Sequence, residues 1–148
     1  MRISTKGRYA LAAVISMAQQ YGSGEYITAV SISEKLGISK IYLEQVFSLM
    51  RHGGLVISVK GAQGGYQLSR SPSKISAYDV LSAVESALFE ETEDTVPSSS
   101  TEIEAAMRDS VFSVLDVQIR EALSGVTLER LTVEAERHKE SGTQMFYI

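Results

Sequence analysis

The stretch Ser31-Ile32-Ser33-Glu34-Lys35-Leu36-Gly37-Ile38-Ser39-Lys40-Ile41-Tyr42-Leu43-Glu44-Gln45 decides the fold. Ser31 and Glu34 have the spacing of a capping box, in which two side chains each satisfy a free backbone donor at a helix start. A short helix is expected to begin there and to stop at Gly37, since glycine accepts the left-handed backbone that closes a helix. Ser39 then caps a further helix, from Lys40 to about His52, which Gly53-Gly54 ends. Two helices separated by so tight a break form a helix-turn-helix. On the second, Ile41, Leu43, Val46, Leu49 and Met50 are expected on the core side.

Downstream, Leu55-Val56-Ile57-Ser58-Val59-Lys60 and Tyr66-Gln67-Leu68-Ser69-Arg70 are β-rich runs around the loop Gly61-Ala62-Gln63-Gly64-Gly65, the pattern of a hairpin. A helix-turn-helix followed directly by a hairpin is a winged helix. Upstream, Ser4 or Thr5 caps a first helix to about Tyr21, with Leu11, Val14, Ile15 and Ala18 on one face and Gly22-Ser23-Gly24 as its stop. Tyr26-Ile27-Thr28 reads as a short extended piece. Ser76-Ala77-Tyr78-Asp79 caps a fourth helix to about Leu88.

Residues 90–101 hold four acids, one proline and three consecutive serines, the composition of an exposed, mobile linker. Thr101-Glu102-Ile103-Glu104 is another capping-box pattern, opening a long helix to about Ser124 that Gly125 ends. Along it Ile103, Met107, Val111, Leu115, Ile119 and Leu123 recur every four residues, and Phe112 and Val114 widen the stripe. A helix turns about 40° too far at each such step, so the stripe wraps around it. One small domain rarely buries that much of a single helix, and a second chain is the expected cover. Thr127 starts a last helix to about Lys139. The expected fold is mainly α with a small β-wing: a winged helix-turn-helix domain (1–88), an acidic flexible linker (89–101), dimerisation helices (102–140) and a C-terminal tail (141–148).

The 148 residues are 44% hydrophobic and 22% charged, the mix of an ordinary soluble globular protein. With no cysteine, disulfides, thiolate-held zinc, cysteine-ligated iron–sulfur clusters and thiol nucleophiles are excluded. His52 and His138 are too few for a histidine-rich metal site, so no metal is expected. Ala10 to Ala18, the longest apolar stretch, is too short to cross a bilayer. No secretory leader is read, and the expected location is the cytoplasm. No nucleophile–base–orienter set stands out, so an enzyme is not expected. The net charge of −4 hides an asymmetry: residues 1–75 carry nine Lys and Arg against three acids, a balance of +6, and residues 76–148 carry five against fifteen, a balance of −10. A basic half joined to an acidic one points to a polyanion-binding face with a separate partner module.

Within the basic half, the start of the second helix of a helix-turn-helix meets base edges in the major groove. Ser39, Lys40, Tyr42, Glu44 and Gln45 stand there; Gln can pair with adenine, and Glu can accept from the cytosine amino group. Arg51 on the same helix is a further expected DNA contact. In the wing, Gly61 and Gly64 permit close backbone approach, and Lys60, Gln63 and Tyr66 are expected to touch DNA, with Lys60 able to reach a phosphate or the minor groove. At the first helix start, Ser4, Lys6 and Arg8 form an expected phosphate clamp.

Ser4-Thr5-Lys6-Gly7-Arg8-Tyr9-Ala10, Tyr42-Leu43-Glu44-Gln45, Gly53-Gly54-Leu55-Val56, Val59-Lys60-Gly61 and Gly64-Gly65-Tyr66 resemble the Rrf-type (Rrf-two family) winged-helix transcription regulators. The resemblance is close over residues 1–88 and looser over the long helix. It implies a homodimer whose long helices pair through Ile103, Met107, Val111, Val114, Leu115, Ile119 and Leu123. It also implies binding to double-stranded DNA at an inverted-repeat operator, with Tyr42, Glu44 and Gln45 as base readers and Lys60 in the minor groove. The cluster-binding branch has three cysteines between the fourth helix and the dimer helix; Leu88 to Thr101 has none, so neither an iron–sulfur cofactor nor a nitric-oxide or redox role through one is implied.

The lack of cysteine and the terminal Met145-Phe146-Tyr147-Ile148 are more similar to the branch that represses cysteine metabolism. That implies control of sulfur-amino-acid genes, with cysteine synthase as a co-repressing partner. A chain-end carboxylate behind Ile148 could enter an enzyme pocket built for an amino-acid carboxylate; the same tail could instead pack its aromatics on the dimer. The alternative functions are a winged-helix protein-interaction adaptor, or a regulator answering to another small-molecule or redox signal.

Overall fold

Helices α1 (Thr5–Gln19), α2 (Ala29–Leu36) and α3 (Lys40–His52) lead into strands β1 (Val56–Val59) and β2 (Gly65–Leu68). A short 3-10 turn (Pro72–Lys74) precedes α4 (Ala77–Val84). After it come α5 (Thr101–Met107), a π-turn (Arg108–Phe112), α6 (Ser113–Ser124) and α7 (Leu128–Phe146). The structure is a computed structural model describing residues 1–60, 64–96 and 98–146. β1 and β2 pair antiparallel, with Val56 opposite Leu68 and Val59 opposite Gly65. The fold is therefore a mainly helical winged helix with a two-stranded wing.

The core lies between α1, α3 and α4, where Val14, Leu43, Val46, Phe47, Met50, Ile75 and Val80 are wholly buried. The Phe47 ring stacks on Tyr66, centroids 4.3 Å apart and 9° from parallel. Ile27 and Tyr66 exchange backbone hydrogen bonds, Ile27 N–H to Tyr66 O at 2.9 Å and Tyr66 N–H to Ile27 O at 2.8 Å. The base of the wing is thus fastened to the strand-like piece before α2. Gly65 makes this approach possible: its φ is +146°, and a Cβ there would lie 2.8 Å from that of Tyr26. At the other end Leu128 N–H donates to Ile75 O at 2.9 Å, and Ala77 N–H donates to Val126 O at 2.8 Å. Leu128 is itself part of the buried core, so α7 folds back onto the first domain.

Several expected boundaries move, each for a local reason. α2 starts after Thr28, not Ser31; the Thr28 hydroxyl accepts the Ser31 N–H at 3.1 Å. The bridge to Tyr66 ends the extended piece at Ile27, so the next residue is the one free to cap. α4 stops at Val84 rather than near Leu88, because Glu85 turns to extended backbone and sends its carboxylate to α1. The Thr101 box does not form: Ser100 occupies the N-cap without a side-chain bond. Glu104 instead accepts the N–H groups of Thr95 at 3.0 Å and Val96 at 2.9 Å. The helix expected to be continuous from Thr101 to Ser124 is broken by the π-turn, whose Ser113 N–H donates to Arg108 O. A turn of this width takes up an extra residue, which offsets the drift of a four-residue repeat. α7 runs past Lys139 to Phe146, so Met145 and Phe146 lie in a helix. Tyr147 and Ile148 lie outside the described residues. Finally, Ile41 is not in the core: it is 71% exposed.

Candidate nucleic-acid interface

The start of α3 is set by Ser39, whose hydroxyl accepts the Tyr42 N–H at 3.5 Å. Leu43, Val46, Phe47 and Met50 point inward, which leaves Lys40, Ile41, Glu44, Gln45, Arg51 and His52 exposed on the opposite face. Lys40 and Glu44 form an i,i+4 ion pair at 3.7 Å with both side chains about half exposed. Such a pair contributes little to stability and leaves both groups available to a ligand. Tyr42 sits at the margin of this face, half-buried, its ring edge-on to Tyr9 with centroids 5.1 Å apart. It fixes the helix against α1 while bordering the outer surface.

Cations flank α3 on both sides. Along the Tyr42 margin a hollow is lined by Arg2, Ser4, Thr5, Lys6 and Glu85. Along the Lys40–Glu44 margin a groove runs past Arg51, Ser58, Val59, Lys60, Gly64 and Tyr66 to the wing. Arg51 donates to the Ser58 hydroxyl at 3.4 Å, tying the end of α3 to β1. Arg8 is exposed one turn into α1, donating to the Thr5 hydroxyl at 3.0 Å. Other cations of the basic half serve the fold: Arg70 pairs with Asp79 at 3.2 Å, and Lys35 donates to Ser16 at 3.0 Å and Gln19 at 3.1 Å.

The expected contacts divide accordingly. Lys6, Arg8, Lys40, Glu44, Gln45, Arg51 and Lys60 all reach the surface. Ser4 is engaged: its hydroxyl donates to Glu85 at 2.6 Å and accepts the Gly7 N–H at 3.1 Å. Its own N–H also donates to Glu85 at 3.0 Å. The anion at the amino end of α1 is therefore the protein's own carboxylate. Sequence reading missed Glu85 because no local pattern joins it to a residue 81 positions away. Tyr66 has its ring on Phe47 and its edge in the groove. Gly61 and Gln63 lie outside the described residues. Arg2 and Ile41 were not among the expected contacts and belong to this surface by exposure.

The second surface is apolar. Ile103, Val111, Val114 and Leu115 on α5, the π-turn and α6 are about half exposed, as is Val117, and Met107, Ile119 and Leu123 are partly covered. Glu104 is the one buried residue described along these three elements. Arg108 pairs with Asp94 at 3.7 Å, which with Glu104 holds the chain before α5 along α5 as far as the π-turn. Among the described residues no helix is long and apolar enough to cross a membrane.

The family described as "Rrf2: Iron-dependent Transcriptional regulator" matches residues 3–134. The HTH-type transcriptional regulator CymR of Bacillus subtilis (strain 168) is 38% identical over 150 residues, 100% of each chain. The structure of CymR (YrzC), the global cysteine regulator of B. subtilis, is similar with a TM-score of 0.71 at 34% identity, covering 90% of this chain and 98% of that one. T. potens IscR gives a TM-score of 0.71 at 35% identity over 93% of this chain and 90% of its own. The iron in the family description does not fit the residues present. The chain has no thiolate donor, and the described residues gather no group of three or more His, Asp or Glu able to hold a metal.

Proposed function

The chain belongs to the Rrf2 family of DNA-binding transcriptional regulators, and from that premise we propose how its surfaces are used. α3 enters the major groove, where Glu44 and Gln45 read base edges and Tyr42 borders them. Lys60 carries the wing, with Gly61, Gln63 and Gly64, to the adjacent minor groove. Arg2, Lys6, Arg8 and Arg51 bind phosphates on either side and set the register. The observation that carries this reading is the placement of cations along both margins of one exposed polar helix face.

Base readers and phosphate binders separate by experiment. Gln45→Ala should cost about 1–3 kcal/mol on the preferred site and relax the preference at one position. Lys6→Ala should weaken all duplexes alike. Binding curves on matched and mismatched duplexes distinguish them, and identical behaviour of the two variants would refute the division.

The apolar stripe supports a homodimer joined through α5 and α6, which presents two wings and two α3 helices to an inverted repeat. The likeness to CymR, named a global cysteine regulator, supports repression of cysteine-metabolism genes. In this reading cysteine synthase is the co-repressing partner and receives residues 145–148. Docking in extended form requires the last turn of α7 to unwind, since Met145 and Phe146 are helical. Deleting Ile148 should abolish a complex with cysteine synthase measured by calorimetry; unchanged binding would remove the tail from the account.

A further inference from the structure

Ile41 is the outlier of the reading face. A single exposed aliphatic residue ordinarily needs no explanation, but this one is 71% exposed on the first turn of α3. At 100° per residue it projects between Glu44 and Gln45, at the centre of the exposed face. The other exposed positions around it, Lys40, Glu44, Gln45, Arg51 and His52, all carry polar groups. Helix formation does not favour it, because a β-branched residue is a poorer helix former than Lys, Gln or Glu at an exposed site. Packing does not hold it either, since the buried side of α3 is filled by Leu43, Val46, Phe47 and Met50.

What such a group can recognise follows from its chemistry. Ile41 offers neither donor nor acceptor, so it cannot read the hydrogen-bonding edge of a base. The major groove presents one apolar feature, the 5-methyl group of thymine. The cations on both margins of α3 align a phosphate backbone on each side, which sets the middle of the helix over the bases. We propose that Ile41 is a specificity-determining residue that selects thymine by contact with its 5-methyl group. The proposal rests on the reading of α3 as the helix that enters the major groove.

The test removes the methyl group and nothing else. Preferred duplexes are selected from a random pool with the full-length protein, and each thymine is then replaced singly by deoxyuridine. The proposal predicts one or more thymines, symmetrically placed in the two half-sites, where the loss is about fourfold each, equivalent to ~0.8 kcal/mol for one buried methyl at 1.4 kcal/mol per tenfold. Ile41→Ala should bind thymine and deoxyuridine forms of those sites equally, and Ile41→Val should keep most of the preference. Equal binding of all deoxyuridine duplexes by the unmodified protein would overturn the proposal, as would an undiminished methyl preference in Ile41→Ala. A pool that yields no enriched sequence would overturn the assignment of α3 itself, and the proposal with it.

Discussion

The two halves of the chain treat apolar side chains in opposite ways. From α1 to α4 the large ones are mostly enclosed, with Phe47, Met17, Ile32, Leu43 and Met50 at most 2% exposed and Ile41, Ile57 and Val30 among the exceptions. From α5 to α6, Ile103, Val111, Val114, Leu115 and Val117 remain about half in water. The difference separates a core closed by α1 to α4 together with Leu128 of α7 from a face of α5 and α6 left open to water. The charges follow the same division. The first half turns Arg2, Lys6, Lys40, Arg51 and Lys60 outward beside α3, and the second half is acidic.

The comparison breaks first at the stripe. Val111→Glu combined with Leu115→Glu places charges where a partner helix should lie, and an unpaired buried charge is costly enough to dissociate a dimer. Sedimentation equilibrium should show a folded monomer; a chain that stays dimeric would contradict the reading of α5 and α6. A single truncation on each side sharpens the contrast. Phe47→Ala should lower unfolding stability by about 3–5 kcal/mol, through lost packing against Tyr66 and the cavity left behind. Leu115→Ala, made in the monomeric variant in place of Leu115→Glu, should shift stability by no more than about 0.5 kcal/mol relative to it. Denaturant titration reads both.

An effect of intermediate size is expected at the seam between the halves. Asp79 caps α4 through the Ser76 N–H at 2.9 Å and also receives Arg70 at 3.2 Å. Asp79→Ala should cost about 1–2 kcal/mol in the same titration. A neutral result would mean that the pairing of residues 75–77 with 126–128 alone fixes this junction.

Much of the first half was legible in the sequence because its signals are local. Gly37 and Gly53 mark the ends of α2 and α3, and Ser4, Ser39 and Ser76 cap their helices. Of the apolar repeat read on α1, Val14 and Ala18 are buried and Leu11 and Ile15 only partly so, with Ala10, Ala13 and Met17 completing the buried face. The cations that flank α3 could be enumerated from sequence, but only the fold separates them from Lys35 and Arg70. The misses involve competition between equivalent patterns or contacts across long separations. Thr28 and Ser31 are both good caps, and the pairing of Ile27 with a residue in the wing chose between them. Glu85 and Glu104 turn away from their own helices to satisfy distant or neighbouring backbone. Ile41 was assigned to the core because it is aliphatic, although its angular position on α3 is that of Glu44 and Gln45, not of Leu43 and Val46.

The central claim is that the cations flanking α3 neutralise DNA phosphates, and the salt dependence of operator affinity tests it most directly. The account predicts a linear fall of log affinity with log salt concentration, about −0.9 for each phosphate neutralised, and a slope shallower by about one unit for each contact that Lys6→Ala removes. An affinity that holds level from low to physiological salt, with the same slope in Lys6→Ala, would contradict it.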